Sequence, residues 1–180
     1  MKDVLKFSSK QRVSILINLR EINNKITQKE NFYFLIIILF IFCLDRYSKI
    51  EIINNFSDNI YFINNFINLN LVWNTGIGFG LFQSSSNLLY NLISLLIAIV
   101  ILFLIYLSII SDKLDKIFFS LIIGGAIGNF YDRMIFKAVP DFIDLHYKNF
   151  HWFTFNFADI FITLGVFLLI LTNILKKNEN

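Results

Sequence analysis

Apolar positions in this 180-residue chain are bunched into four long runs. The first, Phe32 to Leu44, would reach only about 20 Å as a helix, short of the ~30 Å hydrocarbon core of a bilayer. To cross, it must continue through Asp45 and Arg46 to about Ile50. The second, Leu88 to Ile110, is long enough unaided. The third, Ile117 to Tyr131, again needs its polar end, Asp132 and Arg133, and the fourth runs from about Phe155 to Leu175 with Asn156 and Asp159 near its start. The pattern therefore predicts a membrane all-α protein, a four-transmembrane-helix bundle with helices at about 32–50, 88–110, 117–133 and 155–175. Between the first two runs, Ile67-Asn68-Leu69-Asn70-Leu71 alternates with period two, as a half-buried strand does, and Asn74-Thr75-Gly76 ends it as a turn. A small extracytoplasmic β-sheet resting on the outer bilayer surface is expected within residues 51–86. Residues 134–154 read as a loop leading into the last helix through aromatic residues that suit the interface.

Composition agrees: 56% of residues are hydrophobic and 16% charged, against about 25% charged in an average soluble domain. The charges also orient the bundle. Residues 1–31 carry seven basic residues and no long apolar run, and no small-residue cleavage site follows the first run, so they read as a retained tail rather than a signal peptide. Within the tail, Val13 to Leu19 could lie on the membrane as an amphipathic helix or stay solvated. With the amino terminus inside, residues 1–31, 111–116 and 176–180 hold eleven of the sixteen basic residues, so both termini are expected to be cytosolic. Residues 32–175 then form one membrane domain, exposing 51–86 and 134–154 outside. Topology accounts for the basic excess, and no nucleic-acid partner is needed.

That orientation brings Asp45, Asn129, Asp132, Arg133, Asn156 and Asp159 to one leaflet, the outer one. Ionisable groups at membrane depth cost at least a few kcal/mol each unless they face the bundle interior and find partners. Asn129, Asp132 and Arg133 share one helical face, and so do Asn156 and Asp159. Gly124 and Gly128 would let a neighbouring helix approach closely beside that face. The single proline, Pro140, precedes Asp141 and should make it the start of a rigid, non-helical stretch.

Several chemistries lack their residues. Cys43 is the only cysteine and reads as inert core. No His-Glu-x-x-His pair is present, and His146 and His151, five apart in the loop, share no helical face. No membrane-level histidine could serve a serine nucleophile, and Gly76 to Gly80 lacks the lysine of a phosphate loop. Carboxylates remain. Asp132 has Arg133 beside it and reads as a structural or orienting ion pair. Asp141 and Asp159, eighteen residues apart, can fold back together. Two carboxylates in one low-dielectric site hold a single proton between them, which suits water activation without a metal or cofactor. A small transporter or proton-conducting helix bundle is the alternative. It would place polar groups at the midplane or along a whole face, often with an internal repeat, whereas here they crowd one leaflet.

Five motifs, in order, carry a resemblance. They are Asp45-Arg46-Tyr47-Ser48-Lys49, Asn74-Thr75-Gly76-Ile77-Gly78-Phe79-Gly80, the run from Gly124 to Arg133, Val139-Pro140-Asp141-Phe142-Ile143-Asp144, and Phe155-Asn156-Phe157-Ala158-Asp159. Over about residues 33–175 the chain resembles the lipoprotein signal peptidases (signal peptidase II), aspartic endopeptidases of the bacterial cytoplasmic (inner) membrane. The resemblance implies that Asp141 and Asp159 are the catalytic dyad. It implies that Asp45, Lys49, Asn74, Gly76, Asn129, Asp132, Arg133 and Asn156 bind substrate or support the dyad. It further implies a monomer that uses no metal or other cofactor and is blocked by globomycin. Its substrate would be a prolipoprotein cut just before a diacylglyceryl-modified cysteine, cradled at the membrane surface by the short sheet. The chain departs from the family's usual pattern at Ile77 and Gly78, where small Ala residues are usual, at Pro140, and in its long tail.

Overall fold

The computed structural model describes residues 30–56, 59–76 and 87–178. The basic tail up to residue 29, with Val13 to Leu19, lies outside the described residues, as do Ile77, Gly78, Phe79 and Gly80 of the glycine-rich segment. The described residues form four helices: α1 (Glu30–Asn55), α2 (Asn87–Ile110), α3 (Lys113–Phe136) and α4 (Phe157–Asn178). Four strands, β1 (Tyr61–Phe62), β2 (Ile67–Asn74), β3 (Val139–Tyr147) and β4 (Phe150–Phe155), form one antiparallel sheet in that order.

Among the described residues, three segments, Leu88–Ile110, Lys113–Phe136 and Phe157–Lys177, are long and apolar enough to cross a membrane. α1 has 26 residues, or about 39 Å, but carries Asp45, Arg46, Lys49 and Glu51 in its carboxyl-terminal half. Apolar side chains face outward around the helices: Phe40 on α1, Leu102 on α2, Ile135 on α3 and Phe167 on α4 are all more than half exposed. This inverts the arrangement of a soluble bundle and suits a lipid surround.

Sequence periodicity placed the elements but not their ends. α1 runs on to Asn55 because its charged groups are paired inside the bundle and give the helix no reason to stop. α3 starts at Lys113 rather than 117 and ends at Lys137, whose left-handed backbone (φ 57°) caps it. α4 starts at Phe157, two residues late, because Phe150–Phe155 is extended as β4. The expected loop 134–154 is therefore mostly a hairpin completing the sheet. In that hairpin His146 and His151 are cross-strand partners with stacked rings. Cys43 is exposed on α1, not core.

α3 packs on all three other helices, and its glycines set how close they come. A Cβ on Gly125 would lie 2.5 Å from the carbonyl oxygen of Ala158 on α4, and one on Gly128 would lie 2.5 Å from Asp45 Oδ2 on α1. Both distances are well inside van der Waals contact, so the helices can approach only without a side chain there. Substituting Gly125→Ala should destabilise the fold by roughly 1–3 kcal/mol, as overpacking does. Thermal unfolding of the detergent-solubilised protein checks this, and an unchanged midpoint would contradict the packing described.

Candidate active site

Polar groups from α1, α3, α4, β2 and β3 converge around a cavity of about 300 Å³. Asn74, Asn129, Arg133, Asp141 and Asp159 line it, together with Ile97, Ala126, Val139, Ile162 and Thr163. Asp141 enters from β3. Val72 of β2 lies opposite Asp141, and Asn74 lies opposite Val139, so Asn74 and Asp141 are diagonal neighbours on one sheet face. The extra residue between Leu69 and Val72 sets that register.

Asp159 arrives from the first turn of α4. Asn156 caps this helix: its Oδ1 accepts from the Asp159 N–H at 3.1 Å, while Asp159 Oδ2 accepts from the Asn156 N–H at 3.1 Å. This is a reciprocal capping box built from Asn and Asp. The remaining end of Asn156, Nδ2, donates to Asp141 Oδ1 at 2.6 Å, so one side chain touches both carboxylates' surroundings. Asn74 Nδ2 donates to Asp141 Oδ2 at 2.9 Å, and Asn129 Nδ2 to Asp159 Oδ1 at 2.8 Å. All four carboxylate oxygens thus accept a hydrogen bond. Asp141 is only 3% exposed. Burial, and then the charge of Asp159, push its carboxyl up to about 7 in spite of the two amides.

Behind the cavity wall lies an ionic cluster centred on fully buried side chains. Lys49 Nζ donates to Asp45 Oδ2 at 2.7 Å and to Asn129 Oδ1 at 2.8 Å, and it pairs with Asp132 Oδ2 at 2.7 Å. The side chains of Asp45, Lys49 and Asp132 are fully buried. Asp45 Oδ1 also accepts from the Ala158 N–H at 3.0 Å, tying α1 to the start of α4. Arg46 Nη1 pairs with Asp132 Oδ1, and its guanidinium lies 4.9 Å from the Tyr131 ring centre. Asp132 therefore pairs with α1 and not with its neighbour Arg133, which overturns the expected pairing along the chain. Adjacent helical residues point about 100° apart, so they face different partners.

Arg133 turns instead toward the cavity. Its Nη2 donates to the Gly76 carbonyl, and Gly76 N–H donates to Asn74 Oδ1 at 2.9 Å. Among the described residues, neither Nε nor Nη1 of Arg133 meets an acceptor. The Tyr90 hydroxyl donates to the Arg133 carbonyl at 2.8 Å. Arg46 and Tyr90 took no part in the site inferred from sequence. The signals were there: Arg46 adjoins Asp45, and Tyr90 and Ser94 are polar positions a turn apart in an otherwise apolar helix.

Asp144 lies apart. Three residues along β3, it points to the other sheet face and accepts from or shares a proton with His151 Nδ1 at 2.7 Å. Among the described residues, no group of three or more His, Cys, Asp or Glu side chains could hold a metal ion.

A family model described as "Signal peptidase (SPase) II" matches residues 37–175, most of the chain. The chain belongs to the signal peptidase II family. It is 49% identical over 160 residues to the lipoprotein signal peptidase of Pelagibacter ubique (strain HTCC1062), covering 87% of this chain and 96% of that protein. It is 38% identical over 154 residues to that of Francisella tularensis subsp. novicida (strain U112), covering 82% and 94%. A solved structure described as a bacterial membrane enzyme superposes with a TM-score of 0.72 at 25% identity, covering 82% of this chain and 91% of that one. As a signal peptidase II member with apolar helices exposed to their surroundings, the chain is a multi-pass membrane peptidase.

The peptidase fold depends on its buried cluster, because removing one partner strands the other charges in a low dielectric. Lys49→Met should cost roughly 3–5 kcal/mol. A thermal midpoint in detergent equal to wild type would contradict this assignment.

Proposed function

We propose that this chain is an aspartic endopeptidase that removes the signal peptide from prolipoproteins immediately before a diacylglyceryl-modified cysteine, with Asp141 and Asp159 as its catalytic dyad. The observation that carries the reading is the shared cavity, in which both carboxylates sit with every oxygen hydrogen-bonded. Around it, four carboxylates (Asp45, Asp132, Asp141, Asp159) meet three cations (Arg46, Lys49, Arg133), so one proton on the dyad brings the cluster to neutrality. A singly protonated pair is the state that hydrolyses peptides without metal or covalent intermediate.

In that reaction one carboxylate takes a proton from water as the water oxygen bonds to the scissile carbonyl carbon. The other carboxyl gives its proton to the carbonyl oxygen. The tetrahedral diol then collapses: the first carboxyl returns its proton to the cysteine nitrogen, the C–N bond breaks, and the second reclaims a proton from the hydroxyl. Arg133, two of whose nitrogens meet no acceptor among the described residues, and Asn74, Asn129 and Gly76 would bind the substrate backbone. Asp45, Lys49, Asp132 and Asn156 would support the dyad, since they are buried behind it.

The reading places α1 as a fourth span, long enough at 26 residues, with residues 1–31 and 176–180 cytosolic around one membrane domain of residues 32–175. It places the site at the outer face of the bacterial inner membrane, where the sheet's exposed Tyr61, Phe62, Phe150 and Trp152 meet lipid headgroups. The protein would act as a monomer and be blocked by globomycin.

Purified protein given a synthetic diacylglyceryl-cysteine prolipoprotein should cleave it. Asp141→Asn and Asp159→Asn should each lower turnover about 10³-fold or more while inserting normally, and full cleavage by either would overturn the proposal. Because the Asp141 carboxyl is raised to about 7, the singly protonated pair is lost as pH rises above that value. Cleavage should therefore decline as pH rises through about 7. A profile flat from about pH 5 to about pH 9 would contradict this.

A further inference from the structure

We infer that the two carboxylates have fixed and different roles: Asp159 is the ionised general base, Asp141 is the acid that holds the proton, and Lys49 is the positioning residue that enforces the difference by locking the Asn129 amide. The inference rests on the aspartic-peptidase reading and assigns the steps within it.

Three side-chain amides touch the pair, and none is free to turn over. Each has its oxygen held by a group that can only donate: Asn74 Oδ1 by the Gly76 N–H, Asn156 Oδ1 by the Asp159 N–H, and Asn129 Oδ1 by the Lys49 ammonium. Each must therefore present its NH2 to a carboxylate. Two of these locks are neutral backbone groups. The third is a buried cation, itself pinned by Asp45 and Asp132.

The surroundings of the two carboxylates then differ in kind. Asp159 stands in the first turn of α4, where the helix dipole and the Asn156 N–H favour a negative charge. Its other oxygen receives an amide polarised by the Lys49 ammonium. The charged groups on the elements packed around it are Lys49 and Asp45 from α1, Arg133 and Asp132 from α3, and Asp141 from β3. Asp45 and Asp132 are balanced by Lys49 and Arg46, which leaves Arg133, among the described residues, as the cation of this set without a paired carboxylate. Asp141 stands on a strand, which lends no comparable dipole. Its oxygens accept from two neutral amides, Asn74 and Asn156, and the charge of Lys49 reaches it through space, without the linking amide that Asp159 has in Asn129. When Asp159 is charged, Asp141 is the carboxyl at which a proton relieves the repulsion.

Water thus loses its proton to Asp159 while Asp141 protonates the scissile carbonyl oxygen. On collapse, Asp159 passes its proton to the leaving cysteine nitrogen and Asp141 takes one back from the diol.

The test separates the two limbs of the pH profile of kcat/KM. Asn129→Ala removes a donor from the base alone, so the acid limb should move to higher pH by about one unit with the alkaline limb in place. Lys49→Met should move the same limb. Asn74→Ala removes a donor from the acid alone and should instead move the alkaline limb to higher pH. The opposite pairing of variants and limbs would overturn the assignment, as would an equal loss of rate with neither limb displaced. Where a variant does not turn over, infrared spectroscopy of the folded protein at about pH 6 reads the protonated carboxyl directly. That band should shift in Asn74→Ala and stay in place in Asn129→Ala, and the reverse would overturn the assignment. Absence of cleavage by wild type would refute the peptidase reading and leave the infrared result standing on its own.

Discussion

A single buried ammonium organises this protein. Lys49 lies within 2.8 Å of oxygens from Asp45, Asp132 and Asn129, with no exposure to solvent. Isolated, such a charge would cost far more than a membrane domain can spare. Surrounded by two carboxylates and an amide, it becomes the knot that ties α1 to α3. Asp45 extends the tie to α4 through the Ala158 N–H, and Arg46 closes it from the far side of Asp132. The glycines of α3 are the steric condition for this arrangement, since a side chain on Gly128 would displace the Asp45 carboxylate.

The site inherits its geometry from that knot. Asn129 is turned by Lys49, Asn156 by the cap of α4, and Asn74 by the turn that ends β2. Three neighbouring structures, a bundle core, a helix cap and a strand end, therefore each aim one amide at the pair of carboxylates. Asp141, Asp159, Asn74, Asn129 and Arg133 line one cavity, with Lys49 and Asp45 buried behind its wall.

Much of this was legible along the chain, and what was missed has a physical reason. Apolar runs located the helices because a bilayer demands length and uniformity. The face shared by Asn129, Asp132 and Arg133 was visible from helical spacing, and the strand at Ile67 from alternation. Helix ends differ where polar residues are satisfied by distant partners: α1 runs past the expected end near Ile50 to Asn55, with Asp45 and Lys49 paired to Asp132 inside the bundle. The β3–β4 hairpin escaped notice because its aromatic residues, Phe150 to Phe155, suit a membrane interface as well as a strand. Arg133 next to Asp132 suggested a pair that the helix's own geometry forbids. Pairings across the chain, such as Arg46 with Asp132, depend on packing that periodicity does not encode.

The central claim is that the paired aspartates direct a water molecule at the scissile carbonyl without an acyl-enzyme. A single turnover of the purified protein on a diacylglyceryl-cysteine prolipoprotein, run in water labelled with heavy oxygen and followed by mass spectrometry of both products and enzyme, tests it most directly. The account predicts that the released signal peptide carries one heavy oxygen in its new carboxylate on the first turnover, with none in Asp141 or Asp159. An unlabelled first product with heavy oxygen left in either aspartate would mean that a carboxylate attacks the substrate itself, and would contradict it.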